Sequence, residues 1–542
     1  MNPKLFADFL SLIRSIAVAA AAACGSTAMA AEKPPNIVVI VADDMGFSDL
    51  GCYGSEIHTP NLDRLASHGL RFTEFYNTAR CWPSRAAVLT GYYAQQVRRD
   101  SLPGVANSGG NGTRPAWARL LPEMLRPLGY RSYHSGKWHV DGLPLANGFD
   151  HSYSLNDHDR YFNPQQHTLD DRPLPPVKPG DGYYSTTAIA RHAIAMLAGH
   201  QAEHRDEPFF LYLAFTAPHF PLQALPEDIA VYRQRYLAGW DVLQQERYAR
   251  MQQLGLIDCA LAKPDASVWP SYNLSLAEMR NKIGPGEVGR ALPWLDLTDE
   301  QRLFQPVKMA IHAAMIHRMD IEIGRVISQL EAAGELDDTV IFFVSDNGAS
   351  AEQIIRGDGH DPGAPPGSAA TYLGLGPAWS SASNTPLRLQ KTWVHEGGIS
   401  TPLIVHWPNG IAARGELRRN PGHLIDLAPT IIQLAGGQWP ATVAGHPVPA
   451  PPGKSLVPVF AKDGTVNHDS LWWYHDGNRA VRVGDWKLVA DHNKPWELFD
   501  LHRDRSETHN LAAEQPARVS ELEQVWTQRL DEFRALATRP EP

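Results

Sequence analysis

Four short apolar runs set the layout of this chain. Three are continuous hydrophobic stretches, the pattern of a parallel strand buried on both faces, the fourth is a tyrosine-bracketed Tyr-Arg-Ser-Tyr, and each leads into polar residues. Ile37–Val41 leads into Asp43-Asp44, and Tyr130–Tyr133 into His134-Ser135-Gly136-Lys137-Trp138-His139. Phe209–Phe215 leads into Thr216-Ala217-Pro218-His219, and Val340–Val344 into Ser345-Asp346-Asn347. Helical periodicity fills the intervals. Asn61–His68 follows Pro60 and sets Leu62, Leu65 and Ala66 at helical spacing. Lys308–Ala333 reads as a long amphipathic helix with Met309, Ile316, Met319, Ile323, Ile327 and Leu330 on or near one face, directly before the Val340 strand, as a parallel crossover requires. The expected class is α/β with a large, mostly parallel central sheet. Such sheets bind ligands outside the carboxyl ends of their strands. Asp43, Asp44, Lys137, His139, His219, Asp346 and Asn347 are therefore expected on one rim.

The pattern changes twice more. Residues 221–306 carry a charged helix, Leu237–Leu254, and few strand signals, which predicts a helical insertion near that rim. Past about Gln438 a proline-rich stretch, Pro447–Pro458, precedes short strand-like runs at Ser470–Tyr474, Arg479–Val483, Trp486–Ala490 and Trp496–Leu501. Gly484-Asp485 between two of these is a hairpin signal, and Val519–Leu536 reads as a terminal helix. The expected division is a main domain over 31–438 and a smaller antiparallel sheet with one helix over 439–542. At the N-terminus, Lys4 and Arg14 precede the apolar Ile16–Ala23, and Ala28-Met29-Ala30 has the small-residue form of a signal-peptide cleavage site. Residues 1–30 are thus expected to be removed on export, with acylation at Cys24 the weaker alternative. The apolar stretch is too short to span a bilayer, so no stable membrane insertion is expected.

Composition narrows the function. The 542 residues carry a net charge of −10 with no basic run, which argues against a nucleic-acid partner. With four cysteines and no paired Cys-x-x-Cys, a zinc site is not indicated; Cys52 and Cys259 are free to pair after export. Asp43-Asp44 and Asp346-Asn347 offer four oxygen-bearing side chains, the donors preferred by Ca²⁺ or Mg²⁺. A single pair would be read as a helix cap; two pairs after two buried strands point to a metal.

The remaining signal is Cys81-Trp82-Pro83-Ser84-Arg85, followed by Thr90-Gly91. Pro83 suits a first helical turn, which would place Cys81 at a helix N-terminus where anions are favoured. This segment resembles the Cys-x-Pro-Ser-Arg signature of the formylglycine-dependent (type I) sulfatases, members of the alkaline-phosphatase-like superfamily. Gly136-Lys137-Trp138-His139, Ala217-Pro218-His219 and the stretch Ser383–Ile399, which contains Lys391, resemble further family segments in the family's order. Trp82 departs from the pattern, where Ser or Thr is commoner. The resemblance implies an alkaline-phosphatase-like sandwich and a maturation enzyme that oxidises Cys81 to formylglycine. It also implies a divalent cation, usually Ca²⁺, held by Asp43, Asp44, residue 81, Asp346 and Asn347. The implied reaction is hydrolysis of an aryl or carbohydrate sulfate to alcohol and inorganic sulfate. Arg85, Lys137, His139, His219 and Lys391 are the implied catalytic partners, with Arg85 holding the aldehyde hydrate, His219 a proton donor to the leaving oxygen and His139 a base. From the residues alone, an unmodified Cys81 thiolate is an equal candidate nucleophile. The competing functions are a phosphonate monoester or phosphodiester hydrolase on the same scaffold and a non-catalytic receptor for sulfated glycans. Candidate substrate contacts are His158 and Arg160 in the loop 156–171, Arg388 and His395; the loop 357–383, with His360 and Asp361, is a second candidate rim.

Overall fold

A computed structural model of the chain describes residues 33–270 and 272–539, so the segment 1–30 expected to be an export signal, with Cys24, lies outside the described residues. Pro35–Pro542 forms one compact unit. Its centre is an eleven-stranded sheet. The main strands are β1 (Asn36–Ala42), β2 (Leu70–Tyr76), β3 (Arg131–Gly136), β4 (His151–Leu155), β5 (Phe209–Ala214), β6 (Thr339–Ser345) and β7 (Ser400–His406). They lie in the order β2-β7-β6-β1-β5-β3-β4. The run β6-β1-β5-β3-β4 is parallel, while β7 is antiparallel to both its neighbours.

The four apolar runs read from sequence are thus adjacent parallel strands. Side chains alternate between two cores, as the two-residue strand period demands. Val38, Ile40, Leu211, Leu213, Ile341 and Phe343 face one core, with helices Ser185–Glu203 and Asp299–Ala333. Ile37, Val39, Val41, Phe210, Tyr212, Phe342 and Val344 face the other, with helices Cys81–Thr90 and Leu427–Leu434. Burial on both faces explains why β1, β5 and β6 carry no polar alternation, whereas β3 buries the polar side chains of Ser132, His134 and Ser135.

Two boundaries differ from the sequence reading. The strand expected at 130–133 continues through Gly136. Gly136 has φ +122°, and a Cβ there would stand 1.9 Å from the Ala214 carbonyl oxygen, so only glycine lets β3 close against β5 just before Lys137. The long helix starts at Asp299, not Lys308, because Thr298 and Gln301 form a capping box, an arrangement that satisfies two otherwise orphaned amides. Pro306 lies inside this helix, so the expected insertion boundary at 306 cuts a continuous element. Between Pro221 and that cap the described residues form helices Pro226–Tyr232, Trp240–Gln253 and Leu276–Lys282.

The C-terminal residues form β8 (Leu471–His475), β9 (Asn478–Val483), β10 (Trp486–Ala490) and β11 (Glu497–Asp500), an antiparallel meander. Gly484 takes φ +57° in the β9–β10 turn. Helix Pro516–Ala537 covers the sheet, with Trp526 stacked on Trp472 at 5.7 Å and Phe533 edge-on at 4.8 Å. Lys487 on β10 is fully buried and lies 2.8 Å from both Glu396 and Glu507. That cluster fastens the small sheet to the segment that carries Lys391. Cys52 and Cys259 are both free thiols and do not pair. No helix among the described residues is long and apolar enough to cross a membrane.

Candidate active site

The ends of β1, β3, β5 and β6 deliver a buried acidic floor. Asp43, Asp44, Asp346 and Asn347 are all at most 2% exposed. Arg85, fully buried in helix Cys81–Thr90, holds this floor. Its Nε donates to Asp346 Oδ2 at 2.9 Å and its Nη1 to the Lys137 carbonyl at 2.9 Å, while Nη2 is ion-paired at 2.8 Å from Asp346 and 3.4 Å from Asp43. Arg85 is thus ion-paired with the carboxylate floor, and its Nη2 is buried without a hydrogen-bond partner. Lys137 Nζ donates to Asp43 at 2.6 Å, and Asn347 Nδ2 to Asp44 at 2.7 Å.

Three buried carboxylates this close repel each other. Burial, with Asp43 adding to it, pushes the Asp346 carboxyl up to about 7 against the opposing pull of Arg85 and Lys137. Asp43 Oδ1 and Asn347 Oδ1 are buried without a hydrogen-bond partner. Two orphaned oxygens on an acidic, hard-donor floor fit a divalent cation such as Ca²⁺ or Mg²⁺. Asp43, Asp44 and His219 also bring ligand atoms within 4.8 Å of one another.

Cys81 is the first residue of its helix, 3% exposed, with Arg80 as an extended N-cap. Ser84 Oγ donates to the Asp346 carbonyl and accepts from the Thr78 amide, pinning the first turn to the end of β6. Burial pushes the Cys81 thiol up, Lys137 pulling the other way.

A wall of rings borders the floor. Trp82 meets His139 at 5.7 Å, His139 meets His158 at 5.5 Å, His158 meets His219 at 5.4 Å, and His219 stacks on Phe220 at 4.2 Å. Lys391 Nζ lies 5.4 Å over Phe220 and closes the wall, 2.8 Å from both Asp44 and Glu352. Burial and the Lys137 charge hold His139, His158 and His219 well below the usual imidazole range, so all three are neutral at neutral pH. His139 sits at φ +55°, a strained conformation of the kind stored at functional sites. His219 is hydrogen-bonded through Nδ1 to the Phe220 carbonyl, and its Nε2 stands 3.7 Å from Asp44.

A family model described as Sulfatase matches residues 35–437. The chain belongs to the sulfatase family. A second model, described as the C-terminal part of N-sulphoglucosamine sulphohydrolase, matches residues 388–535. The sulfatase is 34% identical over 543 residues to an uncharacterized sulfatase of Schizosaccharomyces pombe, covering 92% of this chain and 93% of the relative. It is 30% identical over 488 residues to an arylsulfatase of Klebsiella aerogenes, covering 85% and 97%. Among solved structures, Ps i-CgsB in complex with k-i-k-neocarrahexaose superposes with a TM-score of 0.65 at 23% identity, covering 94% and 95% of the two chains, a likeness of fold. The protein is a type I sulfatase of the alkaline-phosphatase-like superfamily and a sulfuric ester hydrolase.

Not every residue singled out in the sequence reaches the sulfatase's site. Arg388 is bound to Glu497 of β11 at 2.9 Å, and the buried His395 meets the same carboxylate at 3.0 Å. Both are held by the small sheet and are withdrawn as substrate contacts. Arg160 forks onto Asp358 at 2.8 and 2.9 Å and also binds Asp157 at 2.6 Å, latching one rim loop to the other; it too is withdrawn. His360 accepts from the Tyr372 amide at 2.8 Å, and Asp361 closes a turn onto Gly363. Only His158 of these candidates joins the wall. The sequence reading named Asp159 within the loop 156–171 but missed Glu352 and Arg80. Glu352 anchors both Lys391 and Arg80, the latter at 3.0 Å. Glu352 lies in no recognisable motif, and only the fold reveals its partners.

Proposed function

We propose that the sulfatase hydrolyses aryl or carbohydrate sulfates with residue 81 matured to formylglycine and with a divalent cation, Ca²⁺ or Mg²⁺, held by Asp43, Asp44, Asp346 and Asn347. The observation that carries this reading is the buried carboxylate floor with its orphaned oxygens, set beside Cys81 at a helix N-terminus and flanked by two buried lysines. When present, the cation supplies Lewis-acid polarisation of sulfate oxygens and formylglycine supplies an aldehyde hydrate as nucleophile. Lys137 and Lys391 are fixed cations. Burial opposes their charge, but Asp43 beside the first and Asp44 and Glu352 beside the second outweigh it, so both ammonium groups stay protonated. They are placed to neutralise charge developing on sulfuryl oxygens, an electrostatic contribution that dominates many such reactions. Arg85 keeps the carboxylates in place while the charge moves. His139, neutral and buried, is available to take a proton. His219 borders Asp44 and Lys391 and spends its Nδ1 proton on the Phe220 carbonyl, so the proton for the leaving oxygen is assigned to the Lys391 ammonium beside it.

The relatives' names support both substrate classes: one is an arylsulfatase, and a structural neighbour is described with a carbohydrate. Cleavage of the export signal near Ala30 and delivery to the periplasm or medium complete the reading, since maturation and secretion then precede activity. The test is hydrolysis of an aryl sulfate beside the matching aryl phosphonate on one preparation. Faster sulfate release supports the reading; preference for the phosphonate replaces it with the phosphonate hydrolase alternative.

A further inference from the structure

The wall above the floor carries buried polar atoms that nothing in the protein satisfies. Trp82 Nε1, His139 Nδ1 and Asp159 Oδ1 all lack a hydrogen-bond partner. An unpaired buried polar group is costly, so such a set persists where a ligand completes it. Asp159 stands out among them. Its Oδ2 accepts from the Tyr372 hydroxyl at 3.1 Å. Its Oδ1 lies 3.8 Å from His158 Nε2, too far for a hydrogen bond. Arg356 is 3.9 Å away and stacks over Phe220, and Tyr372 packs against the same ring at 6.2 Å. The carboxylate is therefore held through Oδ2, while its buried Oδ1 is left without a hydrogen-bond partner beside the middle of the wall.

The open set is mixed. An indole N–H can only donate, a carboxylate oxygen can only accept, and a neutral imidazole nitrogen does either according to its tautomer. An unsubstituted aryl ring offers no partner to any of them. A polyhydroxylated ring offers donors and acceptors together, and aromatic walls suit its apolar faces. We infer that Asp159 is a specificity-determining residue that accepts a hydroxyl hydrogen bond from the leaving group, and that the site selects sulfated sugars over simple aryl sulfates. This inference rests on the sulfatase reading above and narrows its substrate class. It adds no chemical step.

The test compares galactose sulfated at O4 or O6 with phenyl sulfate, in wild type, Asp159→Leu and Tyr372→Phe. In the matured enzyme, wild type is expected to favour at least one sugar sulfate by kcat/KM. Asp159→Leu is expected to shrink that preference by about 10- to 100-fold, the range for losing a hydrogen bond to a buried charged group. Tyr372→Phe removes the clamp but keeps the open oxygen, so the preference should change by less than about threefold. Calorimetry on the unmatured Cys81 protein measures affinity for the same ligands without turnover, and the same ranking is expected there. Equal losses on both substrates in Asp159→Leu, or a wild-type preference for phenyl sulfate in rate and affinity, would overturn the inference. If neither ester is hydrolysed while the Asp159-dependent binding preference persists, the assignment of Asp159 stands and the hydrolytic reading falls.

Discussion

Lys391 bridges two buried carboxylates, and that geometry makes a quantitative prediction. Its ammonium lies 2.8 Å from Asp44 and 2.8 Å from Glu352, with the three side chains only 1–2% exposed. Lys391→Met keeps the bulk and removes the charge, leaving two anions in a desolvated space. Removing one partner of a buried ion pair costs about 3–5 kcal/mol. Glu352→Gln removes one anion but leaves a neutral acceptor for Arg80 and Lys391, at a cost of about 1–3 kcal/mol. In the double variant only Asp44 is uncompensated, and Asn347 still donates to it. The Lys391→Met cost should therefore fall by about 1–3 kcal/mol in the Glu352→Gln background. Urea unfolding of all four proteins at pH 7 in chelator, read from midpoints at a common slope, measures this coupling. Costs that add to within about 0.5 kcal/mol would refute the argument. The pH dependence has a definite sign. Although burial opposes it, Lys391 and Arg80 hold the Glu352 carboxyl below its ordinary 4.5. Its stabilisation is present above that value and lost as pH falls through the depressed one, so Glu352→Gln should flatten acid unfolding relative to wild type.

Three further outcomes follow from the site. Cys81→Ser should give a single turnover and then stall with sulfate esterified to the introduced hydroxyl, because it lacks the second hydroxyl through which an aldehyde hydrate can eliminate; intact-mass measurement reads the adduct, and steady turnover contradicts it. Adding Ca²⁺ to chelated protein should raise the thermal midpoint by selective binding to the folded state, and Asp43→Asn should reduce that rise; identical shifts in both proteins would remove Asp43 from the cation site. Arg388→Gln should cost about 1 kcal/mol or less, because the pair with Glu497 is partly exposed, and should leave KM for a sulfate ester within about twofold; a larger rise in KM would restore Arg388 as a substrate contact.

The middle of the central sheet was legible because β1, β5 and β6 are buried on both faces and so read as unbroken apolar runs. The antiparallel strands β2 and β7 were not, since their sequences mix polar and apolar residues and their pairing is set by partners more than 300 positions away. The acidic floor was legible because a strand end followed by a carboxylate pair is a local pattern. The partners of Lys391, the clamp on Asp159 and the capture of Arg388 by Glu497 were not, because each is a contact between distant segments with no local signature. Arg160 shows the same limit: a positive charge in a rim loop looks like a substrate contact until the opposite loop supplies Asp358.

The most direct test of the account is a mass spectrum of the tryptic peptide Cys81–Arg85 from protein purified from its native host. An aldehyde at residue 81, trapped as its hydrazone, is the predicted result and ties the buried floor to sulfate ester hydrolysis. An intact thiol in catalytically active protein would contradict it.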